Sequence, residues 1–177
     1  MYRNFILVTI CLLISFLWAC SQDKDVNSAS ETDTIKLQTQ KVDTSSFDLQ
    51  KVDINNDGRV DQFVFTKDGV IKYAQRDFNF DTLIDMSEFY ENGVHVRDEI
   101  DLDYDGVCDL IVTYQNDKPI KKEYSVDFEA NRHGTLIFDA NGNKIEVHRD
   151  TNTDGTVDVI EYYKPNANEP YKIQKKE

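Results

Sequence analysis

One feature limits the folds open to this chain: a segment of about 24 residues recurs along it. Asp53, Asp77, Asp101 and Asp150 each open a matching segment, and a degenerate copy is read from Asp127. The successive spacings are then 24, 24, 26 and 23 residues, and five units fill residues 53–177. Every unit has the same grammar. An acidic loop comes first, then a short β-branched and aromatic run such as Phe63, Val64 and Phe65. A turn follows at Asp68-Gly69, Asn92-Gly93, Asn116-Asp117, Asn141-Gly142 and Asn166-Ala167-Asn168. Asp-Gly and Asn-Gly favour the left-handed backbone of tight hairpins. A second run returns with period-two alternation, as at Ile71 and Tyr73 or Ile145 and Val147. The expected fold is mainly β: about ten antiparallel strands, in a meander or curled single-layer sheet of hairpins. Turns lie at one end and acidic loops along the other edge. No segment shows a helical period.

The acidic loops have the composition of hard-cation sites. Ca²⁺ takes six to eight oxygens at about 2.3–2.6 Å. The last loop offers Asp150, Asn152, Asp154, the carbonyl of Thr156, Asp158 and Glu161, with Gly155 at the sharp turn. The second offers Asp77, Asn79, Asp81, the carbonyl of Leu83, Asp85 and Glu88, with Thr82 where glycine belongs. The first has Asp53, Asn55, Asp57, the carbonyl of Arg59 and Asp61, and Val64 at the twelfth place. The third has Asp101, Asp103, Asp105, the carbonyl of Val107 and Asp109, and Val112 at the twelfth. The copy at Asp127 has Glu129 and Asn131 but Arg132 in the glycine place, and is expected to bind no metal. A lone D-x-N-x-D-G arises from turn preferences alone. Four in register, each with aspartate at the ninth place, point to three or four calcium ions. Magnesium fits less well because it prefers water-rich octahedra. Crowded carboxylates repel without metal, so folding and binding should be coupled.

These loops resemble EF-hand loops, the last one at every place. They are also similar to the calcium hairpins of FG-GAP propellers and to dockerin and thrombospondin type 3 repeats. EF-hands and dockerins carry helices beside the loop, whereas these flanks read as strands. The hairpins resemble those of YD-type shell proteins, which implies a curled sheet.

The N-terminus is of another kind. Arg3 precedes an apolar run over residues 5–19, too short for the ~20 residues of a membrane-spanning helix. It reads as a signal peptide, residues 1–19. The run closes on Leu17-Trp18-Ala19-Cys20, which resembles the lipobox of bacterial lipoproteins. The resemblance implies cleavage before Cys20, lipidation of that cysteine, and a membrane anchor. Ser21 at the next place fits outer-membrane sorting, with the domain on the periplasmic or the outer side. Residues 20–46 are polar and read as a flexible tether, and residues 47–177 as the repeat domain.

Composition narrows the function. A net charge of −13 argues against nucleic acid or anionic headgroups as partners. Cys108 is the one cysteine outside the leader and anchor, so no internal disulfide forms. It stands where other loops hold Val60, Ile84 and Val157, as a small buried residue. His95, His133 and His148 show no metal-ligand spacing, and no nucleophile–base motif is present. The expectation is a non-enzymatic, calcium-binding envelope lipoprotein with a structural or adhesive role. The alternative is a recognition module for an envelope protein or polysaccharide, its sheet merely stabilised by calcium.

Overall fold

The computed structural model describes residues 37–127 and 131–176. The expected signal peptide and Cys20 lie outside the described residues. Eleven strands form a single antiparallel sheet, hydrogen-bonded strictly in chain order. They are β1 (Asp48–Val52), β2 (Gln62–Lys67), β3 (Val70–Arg76), β4 (Met86–Glu91), β5 (Val94–Ile100) and β6 (Leu110–Gln115). β7 (Lys118–Tyr124), β8 (Gly134–Phe138), β9 (Lys144–Arg149), β10 (Val159–Tyr162) and β11 (Lys172–Lys175) complete it. The mainly β, curled-hairpin expectation is met, and no helix occurs among the described residues. The strand beyond the expected ten is β1, which precedes the first acidic loop. All five of its residues are exposed, so it lacks the alternation that marks the others.

The repeat is visible in the backbone. At Asp68-Gly69, Asn92-Gly93 and Asn116-Asp117 both central residues have positive φ, from 51° to 82°. This is the mirror-image turn whose twist matches that of paired strands. Just before each turn the pairing slips by one residue, between Phe65 and Thr66, Phe89 and Tyr90, and Thr113 and Tyr114. A fourth slip lies between Ile137 and Phe138. A bulge of this kind adds right-handed twist, and its recurrence once per hairpin curls the sheet regularly.

A single layer must find its core on one face. Phe65, Tyr73 and Phe89 form a row across β2, β3 and β4, with ring centroids 5.5 and 5.0 Å apart. Val42, Phe47, Phe63 and Val96 pack against them. The segment before β1 therefore covers this face. Of the residues read as tether, 37–46 are described, and they cross the sheet. Leu37 is buried, Gln40 N donates to Glu99 Oε1 at 2.8 Å, and Arg97 donates to the Gln38 carbonyl. Thr39 lines a crevice of about 170 Å³ with Asp85, Asp101, Gly106 and Val107. The chain thus enters the domain at the acidic-loop end of β5.

Candidate metal centre

Each acidic loop is a short connection wound around its own carboxylates. Asp53, Asp77, Asp101 and Asp150 accept through Oδ2 the amide of the sixth residue. These are Gly58 (2.9 Å), Thr82 (2.8 Å), Gly106 (2.7 Å) and Gly155 (2.7 Å). That sixth residue lies at φ of 84–91° in all four loops. Glycine adopts this freely; Thr82, branched at Cβ, does so with strain. Asp57, Asp81, Asp105 and Asp154 each accept the amide two residues on, of Arg59, Leu83, Val107 and Thr156, at 2.8 Å. Asn55, Asn79 and Asn152 bond back to Asp57, Asp81 and Asp154 in the same way.

The ninth residue closes the loop. Asp61, Asp85 and Asp109 are 1%, 1% and 0% exposed, the most deeply buried polar side chains described. Their Oδ2 atoms, and that of the half-buried Asp158, accept the amide of the second residue: Ile54, Phe78, Leu102 and Thr151. Their own amides bond to the strand before, from Asp61 to Val52 and likewise in each loop. Asp85 Oδ1, Asp109 Oδ1 and Asp150 Oδ1 are buried with no hydrogen-bond partner. A buried anionic oxygen without a partner is costly, and it is what a cation would relieve. Ligand atoms of Asp77, Asp81 and Asp85 lie within 4.8 Å of one another, as do those of Asp101, Asp103 and Asp109. The donors are all oxygens, as a hard ion requires.

The electrostatics separate the loops. In the third, desolvation first and the neighbouring aspartates second push the carboxyls of Asp103 and Asp109 above the usual range. At three carboxylates of the first and fifth loops hydrogen bonds win. The Arg59 amide lowers Asp57, the Thr156 hydroxyl lowers Asp154, and the Thr151 hydroxyl lowers Asp158. The third loop, with four aspartates and no asparagine, has the most uncompensated charge.

Two expectations are corrected. The degenerate unit begins at Ser125, not at Asp127. Ser125 N donates to the Asp109 carbonyl at 2.8 Å, just as Asp77 N bonds Asp61 and Asp101 N bonds Asp85. His133 N donates to the Tyr124 carbonyl, as each ninth-place aspartate does to its strand. The repeat therefore opens at residues 53, 77, 101, 125 and 150, a nearly constant 24 to 25. His133 Nδ1 accepts the Val126 amide at 3.2 Å, taking the role of the ninth carboxylate. Its Nε2 lies 3.4 Å from Asp127, which also accepts from Ser125 Oγ at 2.7 Å.

The second correction concerns the twelfth-place glutamates. The structure does not bring Glu88 or Glu161 to the loops. Both lie on the sheet, Glu88 3.0 Å from Arg76 and Glu161 3.2 Å from Arg149. Each arginine immediately precedes its loop. Where the twelfth residue is Val64 or Val112, the residue before the loop is Val52 or Ile100. Within this chain the glutamate therefore travels with an arginine, not with the loop chemistry, because strand alternation turns it onto the sheet face.

No family model matches this sequence, and no curated protein matches it. Among solved structures, accessory secretory protein 1, 2 and 3 of Streptococcus pneumoniae is similar at 11% identity and a TM-score of 0.44. That match covers 63% of this chain and 20% of the other. The GtfA/B complex bound to UDP and GlcNAc is similar at 12% identity and a TM-score of 0.27, over 81% of this chain and 29% of the other. The chain thus spans less than a third of either structure's length. At these scores neither likeness bears on function.

One group escaped the sequence reading. Glu88, His95 and Asp98 come within 4.8 Å on the sheet face, because Glu88 and Asp98 stand opposite each other on β4 and β5. Their charges are already met: Arg76 pairs with Glu88, while His95 Nε2 (2.6 Å) and the Tyr114 hydroxyl (2.7 Å) bond Asp98. Only the strand register reveals this network. Cys108 is half-buried and unpaired, its thiol pushed up to about 11 by burial, as suits a packing residue.

Proposed function

We propose that this chain is a calcium-binding envelope lipoprotein whose ions fix and stiffen a single-layer sheet, in a structural or adhesive and non-catalytic role. The observation that carries the reading is the pair Asp85 and Asp109. Each is buried at the closure of its loop, with one carboxylate oxygen left unpartnered beside two further aspartates. A dication is the economical counter-charge for such a set. The donor oxygens would come from Asp53, Asn55, Asp57, Asp61 and the Arg59 carbonyl, and from the equivalent residues of the second, third and fifth loops. The fourth loop, with Ser125 and His133, is left without an ion. Lipidation of Cys20 would hold the domain at a membrane, as the Leu17-Trp18-Ala19-Cys20 resemblance implies.

Isothermal titration with calcium chloride tests this. Four binding events are expected, in the ~10⁻⁴–10⁻³ M range common for extracellular modules, with magnesium at least tenfold weaker. No heat at millimolar calcium would sink the reading.

A further inference from the structure

The tips of the second and third loops are apolar. Phe78, Phe80, Leu83, Leu102 and Tyr104 occupy them, each between 37% and 50% exposed. Leu83 Cδ1 reaches the third loop, 3.5 Å from where a Cβ on Gly106 would stand, so the two tips make one continuous crown. The corresponding places in the fifth loop hold Thr151, Thr153 and Thr156, and in the first loop Ile54, Asn56 and Arg59. The apolar surface is therefore densest in the middle of the edge, with one exposed aliphatic residue on either side, Ile54 and Val126. Loop closure uses only the backbone of these residues, so nothing in the fold asks for large apolar side chains there. A contiguous exposed apolar patch of this kind marks an interaction surface.

The geometry points to a bilayer surface with anionic phosphate headgroups as the occupant. Three observations favour it, and the inference rests on the calcium reading above. First, none of the five crown side chains lines either crevice beside the loops, whose apolar wall residues are Ile84, Val107, Cys108 and Val126. They stand out at the tips, as side chains that enter the headgroup region do. Second, the ion shells beneath are incomplete. The third loop supplies Asp101, Asp103, Asp105, Asp109 and one carbonyl, and its twelfth residue is Val112. The second supplies a similar set because Arg76 holds Glu88 on the sheet. Calcium takes six to eight oxygens, so each ion keeps room for an outside one, and a headgroup phosphate provides it. Without calcium the same seven aspartates and the net charge of −13 repel such a surface, which is the expectation the ions would reverse at this edge. Third, the chain enters the domain at this edge. Leu37 to Gln40 lie beside Glu99 and the crevice of Asp85 and Asp101. Cys20 is 17 residues earlier, at most about 60 Å of chain. The described chain thus begins on the same side as the crown, and the expected anchor at Cys20 precedes it in sequence.

The test uses fluorescence quenching by brominated lipids. The only native tryptophan is Trp18, in the leader. Phe78→Trp places a probe in the crown, and Val94→Trp places one at the opposite, hairpin end, where Val94 is exposed. Both sites are on the surface, so both variants should fold. Vesicles of brominated phosphatidylglycerol and phosphatidylethanolamine are compared with brominated phosphatidylcholine, with calcium or chelator. The expected result is at least twofold quenching of the Phe78→Trp signal by anionic vesicles in calcium, reversed by chelator, and none for Val94→Trp. Unquenched Phe78→Trp emission in chain that titration shows to be calcium-loaded would overturn the bilayer assignment while leaving calcium binding intact. A probe at 78 shielded only when envelope protein is added would overturn it in favour of a protein partner. Absence of calcium binding would overturn both.

Discussion

The third and fourth loops close with the same backbone hydrogen bonds and differ in chemistry. In both, the first residue donates its amide to the ninth residue of the loop before, and the ninth bonds the preceding strand. In both, the ninth side chain accepts the amide of the second residue, through Asp109 Oδ2 in one and His133 Nδ1 in the other. Yet the third holds four aspartates and a buried unpartnered oxygen, while the fourth joins Ser125, Asp127 and His133 by direct contacts. Loop closure is thus a property of the sheet edge. Cation binding is a second layer, and the fourth unit shows what the first layer needs when the acids are withdrawn: a ninth side chain that accepts one amide.

The sharpest way to break this comparison is to remove calcium. At a calcium concentration of about 100 Kd, each filled site adds roughly 2.7 kcal/mol to stability. Chelation should lower the unfolding midpoint by an amount that scales with the number of sites. In hydrogen exchange the amides of Phe78 and Leu102 should lose protection, while that of Val126 keeps it. Equal loss at all three would erase the distinction between the loops.

Next in size is Glu88→Gln. It leaves Arg76 without its partner and should cost roughly 1–2 kcal/mol, less than a fully buried pair because Arg76 keeps solvent. Calcium stoichiometry should stay the same in native mass spectra. Loss of one ion would restore Glu88 to the loop and refute its placement on the sheet.

His133→Ala removes the acceptor for the Val126 amide and should cost about 1 kcal/mol. Denaturant unfolding should show the same cost with and without calcium. A cost that appears only in calcium would make the fourth loop a metal site after all. The smallest effect is a gain. Thr82→Gly relieves the positive φ at the sixth place, partly offset by chain entropy, for a net of about 0.5–1 kcal/mol. Calcium titration should show roughly threefold tighter binding at one site, and no change there would mean the turn is not what limits the second loop.

Much of this was readable beforehand, for identifiable reasons. Aspartate at a fixed ninth place and Asn-Gly or Asp-Gly turns are local signals, so ten of the eleven strands, the edge and the four acidic loops can be placed from residues alone. The fourth unit was misregistered by two residues because Asp127 is the conspicuous acid there. Its true first and ninth residues, Ser125 and His133, keep the geometry without the acidity. The glutamates were misassigned because a spacing carries no direction. Whether the twelfth side chain points to the loop or the sheet face depends on where β4 and β10 begin. β1 and the segment from Leu37 were hidden for the opposite reason, since their anchoring rests on scattered contacts with β5 and on Val42 and Phe47 with no period to detect.

The most direct test of the central claim is native mass spectrometry of the full chain during a calcium titration. Four bound ions are predicted, with Asp85→Asn, Asp109→Asn, Asp61→Asn and Asp158→Asn each removing one and His133→Ala removing none. A spectrum free of specific calcium at millimolar concentration would contradict the account and leave the acidic loops as turns of a metal-free sheet.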